Sequence, residues 1–157
     1  MIERILKSDK KWSPVIIRLV LALVIFPHGA QKLLGWFGGY GFSGTMDYFT
    51  GTVGLPWIVG FLVIVIEFFG PIMLAAGLWV RAISVSVIGL FVGIIFSGHL
   101  QYGFFMNWFG QMDAGQEGIE YHLLVLGMAA ALVVSGAGKY ALDRYLLKQR
   151  TRESITE

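Results

Sequence analysis

Residues 55–80 read LPWIVGFLVIVIEFFGPIMLAAGLWV, an apolar run whose single charged side chain is Glu67. A helix needs about 20 predominantly apolar residues to cross a bilayer, and this run is long enough. A charged side chain at a helix centre costs about 2.5–3.5 kcal/mol on the insertion scale, and each Leu, Ile, Val or Phe returns about 0.3–0.6 kcal/mol. The apolar side chains around Glu67 together exceed its penalty, so the segment inserts. An acid retained at that depth is a functional-site hypothesis by default.

Working outward, three more apolar runs complete the pattern. The spans fall at about residues 14–35, 55–79, 80–100 and 120–139. Only 14% of the 157 residues are charged, against roughly 25% in soluble domains. The expected fold is all-α, an integral membrane four-helix bundle. A basic segment (1–13) precedes one four-span domain (14–139), and a basic tail (140–157) follows it. The lysines ahead of the first run imitate a signal peptide, but the run is long and lacks a small-x-small cleavage site, so it reads as an uncleaved span.

Charge placement orients the bundle. Arg4, Lys7, Lys10 and Lys11 precede the first span, Arg81 marks the tight turn between spans two and three, and Lys139, Arg144, Lys148, Arg150 and Arg152 follow span four. The long loops, 36–54 and 101–119, contain no Lys or Arg. The positive-inside rule puts both termini and Arg81 in the cytoplasm and both loops outside. The basic residues flank membrane spans, which argues against nucleic acid as a partner. Both loops interleave Gly with Trp, Tyr and Phe, as an aromatic belt does, or as a lid folded over the helix ends would. The chain has no Cys, which excludes disulfides, thiolate nucleophiles and Cys-ligated metals. Any sulfur chemistry nearby takes its sulfur from a partner or a small molecule.

Small residues suggest which helix faces turn inward. Gly89, Gly93 and Ser97 recur four apart, as do Gly127, Ala131 and Ser135, the spacing that lets membrane helices approach closely. By that register Glu120 points into the bundle and His122 points away, towards loops, headgroups or a neighbouring subunit. Gly60, Glu67, Gly70 and Gly77 form a comparable stripe that turns Glu67 inward. Pro71 removes the N–H that would bond the Glu67 carbonyl, and Pro27 does the same to Leu23, so a bend is expected at each. Arg18 is expected to reach the inner phosphates and Lys32 the outer headgroups.

At 1.5 Å per residue, His28, Gln31, Lys32, His99, Glu120, Tyr121 and His122 all fall in the outer half, with Glu67 beneath them. Proton handling suits Glu67. A quinone needs donors to its carbonyl oxygens, a proton source and aromatic walls, which His28, Gln31, Lys32 and the ring-rich loops supply. Metal binding through His28, His99, His122 and a carboxylate lacks a ligand-spacing motif. Haem would need His28 and His99 to face one another.

The run RLVLALVIFPHGAQKLLGWFGGYGFSGTMDYF (residues 18–49) resembles the opening of the DoxX family. So do GLP before span two, IEFFGPIMLAAGLWVR within it, and GIEYHLLVLGMAAALVVSGAGKYALD near the end. The resemblance spans residues 15–143 and implies a small four-helix protein of the bacterial inner membrane. The family is similar to a membrane subunit of thiosulfate:quinone oxidoreductase, which implies redox or sulfur-handling partners. By matching position, His28, Gln31, Lys32, Glu67, Glu120 and Tyr121 form the family's polar signature. The expectation is therefore a membrane oxidoreductase component with a quinone-type pocket in the outer half. Glu67 and His28 would be catalytic, and Gln31, Lys32, His99, Glu120 and Tyr121 would bind the ligand. A non-catalytic scaffold for redox enzymes and a small proton-coupled transporter are the alternatives, and a homo-oligomer is compatible with each.

Overall fold

A computed structural model describes residues 10–113 and 115–156, with side chains to 149; Arg4 and Lys7 lie outside the described residues, as do the side chains of Arg150 and Arg152. Among the described residues six α-helices follow one another: α1 (Ser13–Leu34), α2 (Gly41–Asp47), α3 (Trp57–Ala76), α4 (Val80–Ile94), α5 (Glu120–Ser135) and α6 (Leu142–Thr156). No strand occurs among the described residues. Wider and tighter turns carry α4 on through Tyr102. With that extension it joins α1 and α3 as the three helices, among the described residues, long and apolar enough to cross a membrane.

The core lies where α1, α3, α4 and α5 meet. Leu21, Ile25, Leu74, Val87, Val125 and Leu132 are buried there. Pro14 opens α1, where a missing N–H costs nothing. Pro27 and Pro71 lie inside α1 and α3, and both helices continue through them. The helix α3 ends at Gly77, whose φ of 69° is left-handed, a conformation glycine adopts without penalty.

The fourth apolar helix is shorter than its sequence suggests. Residues 120–139 are apolar enough to continue, but α5 stops at Ser135 because Gly136 leaves helical geometry at φ 75°, ψ −159°.

Several register expectations fail. Gly89, Gly93, Ser97 and Gly127 are exposed, whereas the buried residues of α5 are His122, Val125, Ala129 and Leu132. In α4 and α5 larger apolar side chains fill the core, and the small residues take the other face. The Gly60–Glu67–Gly70–Gly77 stripe of α3 does face inward.

Arg18 does not reach for phosphates. It is 2% exposed and donates to four carbonyls: Leu74 (3.0 Å), Ala75 (2.6 Å), Lys139 (3.3 Å) and Tyr140 (2.9 Å). Leu74 and Ala75 lie at the C-terminal end of α3, where the helix dipole favours a cation. Nearby, the fully buried Asp143 accepts from the N–H groups of Trp79 (2.6 Å) and Val80 (3.1 Å). It thereby caps α4 from a distant point in the chain. It also holds Trp79 at φ 50°, a strained value for a bulky residue. Burial pushes the Asp143 carboxyl above its usual range, and the two N–H donors, Arg18 and Arg81 pull it back. Arg81 donates to the Val133 carbonyl, so it binds α4 to α5 as well as adding charge at this end.

Candidate functional site

Glu67 is placed by the contact between α1 and α3. A Cβ on Gly29 would overlap the backbone carbonyl of Glu67 and the amide of Phe68, so the two backbones touch there. Pro71 has removed the usual partner of that carbonyl, and the carbonyl rests on Gly29. Cα–H groups make weak hydrogen bonds of this kind at helix interfaces. Phe26 and Phe68 pack beside it with ring centroids 5.5 Å apart.

This contact sends the Glu67 side chain towards α1, where Lys32 Nζ donates to its Oε2 at 2.5 Å. Lys32 therefore turns into the protein. The pair is asymmetric: the Glu67 side chain is 5% exposed and that of Lys32 25%. Charge-assisted hydrogen bonds of this length are the strong class.

The ion pair does not fill the space around it. A cavity of about 560 Å³ lies between α3, α4 and the first long loop, with Lys32, Glu67 and His99 on its wall. That volume lies within the roughly 300–1,000 Å³ typical of small-molecule sites. Tyr48, Phe49 and Val53 of the loop cover one side. The loop is folded against the helices: Thr45 and Met46 are buried, and a Cβ on Gly60 would meet Phe49 and Met46.

His99 Nδ1 lies 2.7 Å from the Glu117 carbonyl. A carbonyl only accepts, so Nδ1 carries the proton and Nε2 of the neutral ring is an acceptor. The other residues expected at the site are distributed around it. His28 is exposed and off the cavity wall. Gln31 Nε2 donates to the Phe37 carbonyl at 3.3 Å and anchors the first loop. Glu120 accepts from the Met106 N–H (3.2 Å) and from Trp108 Nε1 (3.0 Å), pinning the second loop. The buried Tyr121 hydroxyl has no protein partner and lies within reach of the Glu67 charge.

His122 is the residue that the sequence misplaced. It is 5% exposed, and its ring centroid lies 4.3 Å from that of His99. Its Nδ1 is buried without a protein partner. The signal for it was present: His99 and His122 sit at the same ends of consecutive apolar runs. The glycine register hid it by reversing the face of α5.

No solved structure matches the chain. A relative from Bacillus subtilis (strain 168), described as "Putative oxidoreductase CatD", is 24% identical over 142 residues, which are 90% of this chain and 92% of the relative. The DoxX family model matches residues 13–100, from the start of α1 to the turn beyond His99. With the Lys32–Glu67 pair, the first loop and the α3–α4 hairpin all inside that match, the chain belongs to the DoxX family.

Proposed function

We propose that this membrane protein takes part in redox chemistry by binding a quinone-type head group in the cavity beside Lys32 and Glu67. The observation that carries the reading is a hydrogen-bonded ion pair, its carboxylate buried, on the wall of a mostly apolar cavity. Ionisable groups retained at membrane depth beside such a cavity mark functional sites. The Lys32 ammonium has donors to spare for a ring carbonyl oxygen. His99 Nε2 would accept from a quinol hydroxyl. Reduction of a quinone takes two electrons and two protons. Glu67 would pass on the protons, and a partner redox protein would supply the electrons. The relative described as "Putative oxidoreductase CatD" supports the reaction class.

In this reading the chain crosses the bacterial inner membrane four times, through α1, α3, α4 and α5, with both termini and Arg81 in the cytoplasm. The 16 residues of α5 span about 24 Å, and the stretch after Ser135, tied to Arg18, extends that reach. The cavity then lies in the outer half.

The test is quinone binding to the purified protein together with quinol formation by membranes supplied with the native electron donor. Glu67→Gln should cut quinol formation by at least about tenfold, an effect of about 1.4 kcal/mol on the barrier. Wild-type protein that binds no quinone, or a Glu67→Gln variant with full turnover, overturns the reading. The exposed rings of Phe105, Trp108 and Phe109 on the second loop favour a docking role as a second reading. In that case Trp108→Ala abolishes partner-dependent turnover and Glu67→Gln does not.

A further inference from the structure

We propose that the α4 side of the cavity is a tail channel: an amphiphile enters sideways from the bilayer and lays its hydrocarbon chain along Gly89, Gly93 and Ser97. This rests on the quinone reading for the polar end, and adds a route of entry and a ligand feature, the tail.

The hairpin of α3 and α4 is closed at one end and open at the other. Near the turn, a Cβ on Gly70 would sit 3.4 Å from Ile83 Cγ2, ordinary contact. Further along α4, a Cβ on Gly89 or Gly93 would meet no atom within 4 Å. Both glycines line the cavity and are exposed. Across from them stand Val59 and Leu62 of α3, 40% and 47% exposed. The cavity is thus open on a flank made of lipid-facing residues. Lys32, Glu67 and His99 supply its polar side, and Tyr48 and Phe49 cover it from the first loop.

Glycine inside a helix costs about 1 kcal/mol relative to Ala. In membrane helices that cost is usually offset by close helix contact, which Gly89 and Gly93 do not make. What they leave is an unobstructed groove leading to the ion pair. A molecule that reaches the site through this flank must first partition into lipid.

The experiment compares two probes on the full chain in detergent: a dimethoxy-methyl benzoquinone with a ten-carbon tail, and the same ring without the tail. Binding is read by quenching of tryptophan fluorescence. Wild type should prefer the tailed probe by at least about tenfold. Gly93→Leu and Gly89→Leu, whose added Cβ meets nothing within 4 Å, should fold normally and lose that preference while keeping the affinity for the bare ring. Gly127→Leu, also unobstructed but away from the cavity, should bind as wild type does. Wild type that binds neither probe sinks the quinone reading. Equal binding of both probes by wild type, or Gly93→Leu behaving like Gly127→Leu, sinks the tail channel and leaves the head-group site standing. A second copy of the chain seated in the groove also sinks it, and would appear as a dimer that Gly93→Leu dissociates.

Discussion

Lys32 and Glu67 share one hydrogen bond but not one environment, and that asymmetry has consequences. Glu67 is held by its backbone contact with Gly29 and is nearly sealed from solvent. Lys32 is a quarter exposed and has a flexible stem that can carry its charge towards the headgroups. Removing one partner of a buried pair costs about 3–5 kcal/mol because the other charge is stranded. That penalty applies to Lys32→Met, which strands Glu67. Glu67→Gln strands a lysine that can move away, so its cost should be nearer the ~0–1 kcal/mol of exposed pairs. Thermal unfolding in detergent should therefore rank Lys32→Met well below Glu67→Gln, with the Lys32→Met/Glu67→Gln double variant recovering most of the loss. The reverse order would mean that the unpaired lysine, and not the unpaired carboxylate, is the costlier charge to leave behind. His122 raises a separate question at this scale. A buried nitrogen without a partner costs about 1–3 kcal/mol, and a bound water is the ordinary remedy. His122→Phe should accordingly be neutral or stabilising to the fold. If it also slows quinol formation, the His99–His122 stack belongs to the proton route.

The helices are joined by two devices that differ in how far they can be read from sequence. One is local in pattern: Glu67, Gly70 and Gly77 recur on one face of α3, and Gly29 follows Pro27 and His28 in α1. The inward turn of Glu67 was legible from that spacing. Gly29→Val should separate α1 from α3, because its side chain would collide with backbone that cannot yield; overpacking of this kind costs about 1–3 kcal/mol. The expected readout is a lower unfolding temperature together with loss of the Lys32–Glu67 contact. The other device is long-range. Asp143 caps α4 from 63 and 64 residues away, and Arg18 reaches carbonyls up to 122 residues away. Hydropathy and helical periodicity describe one segment at a time, so they assigned Arg18 to the headgroups and passed over Asp143. Asp143→Ala should cost about 1–3 kcal/mol by leaving two buried N–H groups unpaired, whereas Lys148→Ala, at an exposed position of the same helix, should change the unfolding temperature little. The same limit explains the reversed face of α5. Small-residue spacing identifies a smooth stripe but not what the stripe touches, and here a Cβ on Gly127 would meet nothing within 4 Å.

At the scale of the molecule, the polar groups fall into two sets that do different work. Arg18, Arg81 and Asp143 lie where α3 turns into α4, spend their hydrogen bonds on backbone and lock that end. Lys32, Glu67 and His99 line the cavity, with His122 stacked on His99 and its Nδ1 left without a protein partner. A bundle stiff at one end and splayed at the other fits a site that opens into a single leaflet. Which leaflet depends on orientation, and the chain offers a clean way to measure it because it has no native cysteine. Asp113 on the second loop and Lys148 on α6 are both exposed, and the proposed topology puts them on opposite sides of the membrane. In intact cells, a membrane-impermeant maleimide should label Asp113→Cys and leave Lys148→Cys unlabelled until the membrane is permeabilised. The inverse pattern would place the cavity in the cytoplasmic leaflet, so a quinone would have to be met from that side. Labelling of both positions in intact cells would mean an even number of crossings between them, with α5 failing to traverse the bilayer in the proposed sense. Since α5, at 16 residues, is shorter than α1, α3 and the extended α4 and carries His122 at its start, that result would also move the histidine stack out of the hydrocarbon and away from any role in a membrane-embedded proton path.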